Sequence, residues 1–228
     1  MNILDETLRD LGHALEGDLS GTQLAGIQDT IHSYAVAAAV AGAVSGAIPG
    51  IAGIAAMATQ TGLVWATYVK INKTLGISMQ EHTAKFLGSA IATNLITYVG
   101  TLILAYAAAA IISFIPILGQ AMAAAANAAI GYIVIYACAI IYLKLITDMV
   151  RPNGTIEVPE TDDTKHIIQG IIEKMRIEDV IKEGRDSYKK AKREGKIDAA
   201  IKHRQCPNCH AEVSEGQKFC SECGSALC

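Results

Sequence analysis

Two long stretches of the chain carry no Asp, Glu, Lys or Arg: forty residues from Thr30 to Val69 and fifty-eight from Phe86 to Leu143. A helix needs roughly 20 apolar residues to cross the hydrocarbon of a bilayer. A charge near the bilayer centre is costly, so membrane helices exclude it. A helix on the surface of a soluble protein usually keeps a charged stripe toward water, which would break such runs. The pattern therefore predicts an all-α protein whose central region, 30–150, forms helices inserted in a lipid bilayer. The competing expectation is an Ala-rich soluble bundle, which must hide both runs at once.

Each run is divided by a proline-containing segment, Ala47-Ile-Pro49-Gly50 in the first and Phe114-Ile-Pro116-Ile-Leu-Gly119 in the second. Proline removes a backbone donor and clashes with the preceding turn, and glycine allows the chain to reverse. Two apolar helical hairpins with tips at Pro49 and Pro116 are expected, against the alternative of proline-kinked continuous helices. The first arm, Ser33 to Ile48, is then about 24 Å long, short for a full span, which suggests a re-entrant wedge. Both tips are uncharged, and the basic residues Lys70, Lys73, Lys85, Lys144 and Arg151 flank the apolar segments. Lys and Arg next to membrane segments tend to stay cytosolic, so both termini are expected on that side.

Outside the hairpins the pattern is amphipathic. Ile3, Leu4, Leu8, Leu11 and Leu15 recur at helical spacing among acidic positions, which predicts an N-terminal amphipathic helix within residues 1–29. Its acidic face fits a partner or the bundle better than an anionic lipid surface. Residues 151–163 read as a turn-rich linker. Residues 164–204 read as one charged amphipathic helix, with Ile167, Ile168, Ile171, Ile172, Met175, Val180 and Ile181 as its stripe. Asp163 to Arg204 holds 12 basic and 8 acidic residues. A solvated face is the plain reading of the Lys/Arg cluster at 189–196, and contact with lipid head groups or RNA is the sharper one.

Composition changes this picture little. The whole-chain net charge of −3 gives no reason to expect nucleic-acid binding. The N-terminus has neither the basic start and apolar core of a secretory signal nor a lipidation motif, so insertion is expected to rest on the internal segments. No Gly-x4-Gly-Lys-Ser/Thr loop, His-Glu-x-x-His or Gly-x-Ser-x-Gly occurs, and no intramembrane charge is available for ion coupling. A non-enzymatic role is expected.

Candidate chemistry lies at the C-terminus. Cys206-Pro-Asn-Cys209 is followed after ten residues by Cys220-Ser-Glu-Cys223-Gly224. Two Cys-x-x-Cys knuckles place four thiolates around a tetrahedral zinc ion, and a site so filled is structural. Metal binding would supply the folding energy that so short a piece lacks. A redox dithiol pair is the alternative. Reduced thiolates place this end in the cytosol. The stretch closely resembles the short zinc ribbons common at bacterial protein termini, with His210 standing where that family usually has glycine. The expected domain at 205–228 is therefore a zinc ribbon held by Cys206, Cys209, Cys220 and Cys223.

In the first arm, Gly42, Gly46 and Gly50 fall four apart and share one helix face, which lets another helix approach closely in lipid. They are candidate helix-packing positions for a homo-oligomer. Gln60, Asn94, Gln120 and Asn127 interrupt the apolar helices. Interhelical hydrogen bonding is their default role, and a polar pore is the alternative.

The run Ala35 to Ile77, with Ile48-Pro49-Gly50, Gln60 and Leu75-Gly76-Ile77, resembles a bacterial helical membrane domain of unknown function that accompanies Era/dynamin-like GTPases. Phe114-Ile-Pro-Ile-Leu-Gly119 and the small-residue helix after it fit its second half, so the resemblance covers residues 25–148. It implies membrane association and a link to a GTPase, which would have to be a separate protein. The function expected is a bilayer-embedded scaffold of the bacterial inner membrane that self-associates, remodels membrane and recruits a partner such as a GTPase. The alternatives are an oligomeric pore and a soluble helical adaptor.

Overall fold

The computed structural model describes residues 2–15, 17, 19–46, 52–79, 81–112, 120–150, 161–202 and 213. Among these the chain forms eight helices: α1 (Ile3–Ala14), α2 (Gly21–Gly46), α3 (Ala52–Leu75), α4 (Glu81–Ile112), α5 (Gln120–Met149), α6 (Thr161–Lys174), α7 (Ile177–Arg193) and α8 (Lys196–Lys202). The all-α expectation holds. Both proline tips, Pro49 and Pro116, lie outside the described residues, as does Gly50.

Helices α2 to α5 form an up-down-up-down bundle. α2 and α3 pack side by side, with Gly26 against Thr74, and α4 and α5 do the same, so each apolar run is a pair of neighbouring helices. The most extensive contact joins the two pairs, α2 against α5. It runs antiparallel, with Gly42 beside Asn127 and His32 beside Tyr132. α3 lies parallel to α5, which puts Tyr68 at Cys138 and Asn72 at Tyr142.

α2 begins at Gly21, well before the first charge-free residue, and has 26 residues rather than the 16 of the expected short arm. At 1.5 Å per residue it is about 39 Å long, so its length gives no reason to read it as a half-leaflet wedge. Thr30 shows how polar residues fit these helices. Its Oγ1 donates to the Gly26 carbonyl one turn back at 2.7 Å, and Thr67 and Thr147 do likewise to Leu63 and Leu143. A hydroxyl satisfied in this way can sit in an apolar environment.

The expected single helix over 164–204 is three. Gly195, at φ +72°, sits just past the end of α7, where a left-handed residue closes the helix, and its N–H donates to Lys192. The earlier break, at Met175–Arg176, has a different cause. Thr164, Ile168, Ile171 and Ile172 are buried positions of α6, and Val180, Ile181, Gly184, Tyr188 and Ala191 those of α7. At 100° per residue those two stripes would lie roughly 180° apart on one continuous helix. Interrupting the helix lets both face the bundle.

α1 buries Leu4, Leu8 and Leu11 against the same core. Its N-terminus is capped by the Asn2 side chain, whose Oδ1 accepts from Asp5 N at 2.7 Å. α5 is therefore surrounded by α1, α2, α3, α4, α6 and α7, and α8 closes over α2. The bundle is the target of the N-terminal amphipathic helix.

Candidate membrane face and metal centre

Two helical segments among the described residues are long and apolar enough to cross a membrane: His82–Ala108 in α4 and Ala124–Met149 in α5. Their surroundings differ sharply. Over the most apolar 18 residues of each, 89% of α5 is buried within the chain, whereas only 28% of α4 is. The side of α4 turned away from the core carries Ser89, Thr93, Ile96, Thr97, Tyr98, Thr101 and Leu104. Leu104 is 55% exposed, and Ile96 and Tyr98 are each 46% exposed, without a charged residue among them. Thr97 donates its hydroxyl to Thr93 O at 2.8 Å, so part of the polarity of this face is satisfied within the helix. Val69 of α3 is the other large exposed apolar side chain among the described residues.

The other side of the molecule is charged and polar. α6 and α7 lie over α4 and α5, α1 lies over α5, and α8 lies over α2. Tyrosines of the apolar hairpins reach up to this layer. Tyr136 OH donates to Glu183 Oε1 at 2.6 Å, and Tyr106 OH donates to Glu178 Oε1 at 2.7 Å. Glu183 also accepts the backbone N–H groups of Ile3 at 2.7 Å and Leu4 at 3.3 Å, so one carboxylate ties α7 to α5 and to the start of α1. Backbone donors at a helix start favour a carboxylate there. The Tyr106 hydroxyl, then the Lys182 ammonium, hold the Glu178 carboxyl below its ordinary range. The Arg185 guanidinium lies 5.2 Å from the centre of the Tyr106 ring. Tyr188 meets Tyr132 edge-on at 5.8 Å, and burial pushes its phenol up to about 12.

A second polar seam lies inside the bundle. Tyr68 and Tyr142 stack at 3.9 Å, with the Tyr68 hydroxyl donating to Cys138 O at 3.0 Å and that of Tyr142 to Asn72 Oδ1 at 2.7 Å. Asn72 is thus an interhelical polar residue that the pattern of the chain did not single out, because it lies in a segment already interrupted by Lys70 and Lys73. Asn94 departs from its expected role, since its Nδ2 donates to Ala90 O of its own helix at 2.8 Å. The backbone of Asn127 meets Gly42 of α2, and the side chains of Gln60 and Gln120 lie outside the described residues.

Of the three glycines, Gly42 is buried at the α2–α5 crossing, where a Cβ would come within 2.3 Å of Asn127 O. It admits a helix of its own chain. Gly46 is the last residue of α2. Tyr136 stands out in the sequence only as one of several tyrosines of the apolar helices, core or interfacial, and Glu183 went unrecognised. A glutamate on an amphipathic helix looks the same whether it faces water or a helix start.

Cys206, Cys209, Cys220 and Cys223 lie outside the described residues. Among the described residues no group of three or more His, Cys, Asp or Glu could hold a metal ion. The chemistry of the four-cysteine set suits zinc: soft thiolate donors in two pairs, with no vacant position for water. No curated protein and no solved structure matches the chain. Residues 205–227 do match a zinc-ribbon domain, and such a domain implies a structural zinc ion.

Proposed function

We propose that the chain is a membrane-associated helical scaffold that carries a zinc ribbon to the cytosolic face of a bilayer and docks a partner there. The observation that carries this reading is the open face of α4, uncharged from Ser89 to Leu104, opposite a charged layer made by α1 and α6 to α8. A molecule with one such side can lie against lipid and keep its polar helices in water. Cys206, Cys209, Cys220 and Cys223 are the proposed zinc ligands, and the ribbon is the proposed partner-docking module. Residues 25–148 resemble a domain found beside dynamin-like GTPases, which makes a separate GTPase our proposed class of partner. Self-association in the bilayer and membrane remodelling belong to the same proposal. A second reading, a soluble adaptor with a protein over α4, draws on the burial of α5 inside the chain.

Vesicle flotation separates the two. Full-length protein mixed with phosphatidylethanolamine/phosphatidylglycerol vesicles should float with them. The double substitution Ile96→Lys/Leu104→Lys puts two charges on exposed positions, so it should leave the helical circular dichroism intact and abolish flotation. Each lysine placed in hydrocarbon costs about 2.5–3.5 kcal/mol. Wild-type protein that stays at the bottom of the gradient overturns the membrane reading in favour of the adaptor.

A further inference from the structure

Within the α5 segment that could cross a membrane, Tyr136 is central, and its hydroxyl is bonded to Glu183 of α7 at 2.6 Å. Gly184 lies against the same ring, with a built Cβ 3.3 Å from Tyr136 Cδ1. Tyr106, near the end of the α4 segment, holds Glu178 and lies beneath Arg185. Docked α7 therefore sets Glu178, Glu183 and Arg185 against the mid-region of one apolar segment and the end of the other. If α5 crossed a bilayer with α7 in place, those charges would enter the hydrocarbon, at a cost of at least a few kcal/mol each. Docked α7 and spanning α5 exclude each other.

Resting on the membrane reading above, we propose that α7 is a latch: while it sits on Tyr106, Tyr132 and Tyr136 the chain is held at the membrane surface, and its release lets the α4–α5 hairpin insert. The contact differs in kind from the one between the hairpins. Where α2 crosses α5, backbone meets backbone at Gly42 and Asn127. α7 buries Val180, Ile181, Tyr188 and Ala191 in the core, and adds to them tyrosine hydroxyls on its carboxylates, one glycine against a ring, and an edge-on tyrosine pair at 5.8 Å. Glu183 couples a second element to the same event. It accepts the Ile3 and Leu4 N–H groups and Arg176 pairs with Glu6 at 3.4 Å, so freeing α7 also frees the start of α1. The inserted state then exposes α5 to lipid in exchange for the charged layer it loses, which is the two-state behaviour expected of an element with two alternative environments.

The geometry supplies its own lock. A Cβ at Gly184 would lie 3.5 Å from Tyr136 Cβ, inside the range of about 3.5–4.5 Å that a disulfide spans. Full-length, zinc-loaded Gly184→Cys/Tyr136→Cys is oxidised and added to the same vesicles, with Gly184→Cys under the same oxidant as control for the other thiols. The oxidised lock should float but be stripped by alkaline carbonate, whereas dithiothreitol should restore carbonate resistance to at least the level of the control, since the lock also lacks the Tyr136 hydroxyl that holds Glu183. Glu183→Ala, which needs no lock, should raise the carbonate-resistant fraction severalfold over wild type at equal flotation. Equal carbonate resistance of the oxidised and reduced lock overturns the latch while leaving membrane association standing, as does an unchanged fraction in Glu183→Ala. If wild type and the reduced lock both fail to float, the membrane reading fails and the latch falls with it.

Discussion

Gly42 is the residue on which the packing of the two hairpins turns. An added Cβ would meet Asn127 O at 2.3 Å and the Asn127 carbonyl carbon at 2.6 Å, and both are backbone atoms that cannot swing aside. Gly42→Ala should therefore push α2 off α5 along their whole contact. Overpacking of this kind costs about 1–3 kcal/mol, more than the fraction of a kcal/mol that alanine returns as a better helix former. Gly100→Ala is the matched control. Its Cβ would find only Ile96 Cγ2, at an ordinary 3.7 Å, so the helix-propensity gain should stand alone and stability should hold or rise slightly. Thermal unfolding of both variants decides the matter, and equal midpoints would show that the close crossing is not a determinant of stability. The small-residue spacing of Gly42, Gly46 and Gly50 was legible as a helix-approach face. Which helix approaches was not, because α5 is more than seventy residues away in the chain and spacing carries no long-range register.

At the level of elements, one carboxylate does the work of a cap for a helix on another part of the chain. Glu183 receives the first two N–H groups of α1, and Asn2 receives a third, from Asp5. Glu183→Gln keeps an acceptor but loses the charge that favours a helix start, a difference of about 0.3–1 kcal/mol. Glu183→Ala removes the acceptor as well. Hydrogen exchange of Ile3–Ala14 should quicken in the order wild type, Gln, Ala, while Ala128–Ile146 in the core stays protected. Uniform quickening of both regions would mean that Glu183 supports the whole fold and not the start of α1. The extent of α1 follows closely from apolar periodicity, whereas α3, α4 and α5 each run past the charge-free limits, to Leu75, back to Glu81 and on to Met149. The division of residues 164–202 into three helices was also there to be read, since the isoleucines of α6 and the Val180–Ala191 stripe are out of phase. Reading them as one stripe hid the break.

At the scale of the whole molecule, composition identified the apolar runs but not the use made of each. α4 and α5 are similar in length and apolarity, yet α5 lies among six other helices and α4 keeps an open face. That difference comes from tertiary pairing, to which hydropathy is blind. The ribbon is the opposite case: its cysteine spacing alone pointed to a zinc-binding unit, and residues 205–227 match one. The ribbon and the helices also draw their stability from different sources. The bundle has a continuous apolar core running from Leu4 to Ile197, whereas so short a unit would draw most of its folding energy from the ion, in the range of about 10–16 kcal/mol for comparable sites. Purified protein should hold about one equivalent of zinc through four thiolates. Cys209→Ser should lose it, and so should Cys220→Ser/Cys223→Ser, with far-UV circular dichroism retaining its helical signal and vesicle flotation unchanged. Full zinc content in the Cys220→Ser/Cys223→Ser protein would show that other ligands hold the metal. Loss of helix together with zinc would show that the ribbon is part of the bundle's own stability, and the scaffold would then have to be read as one cooperative unit.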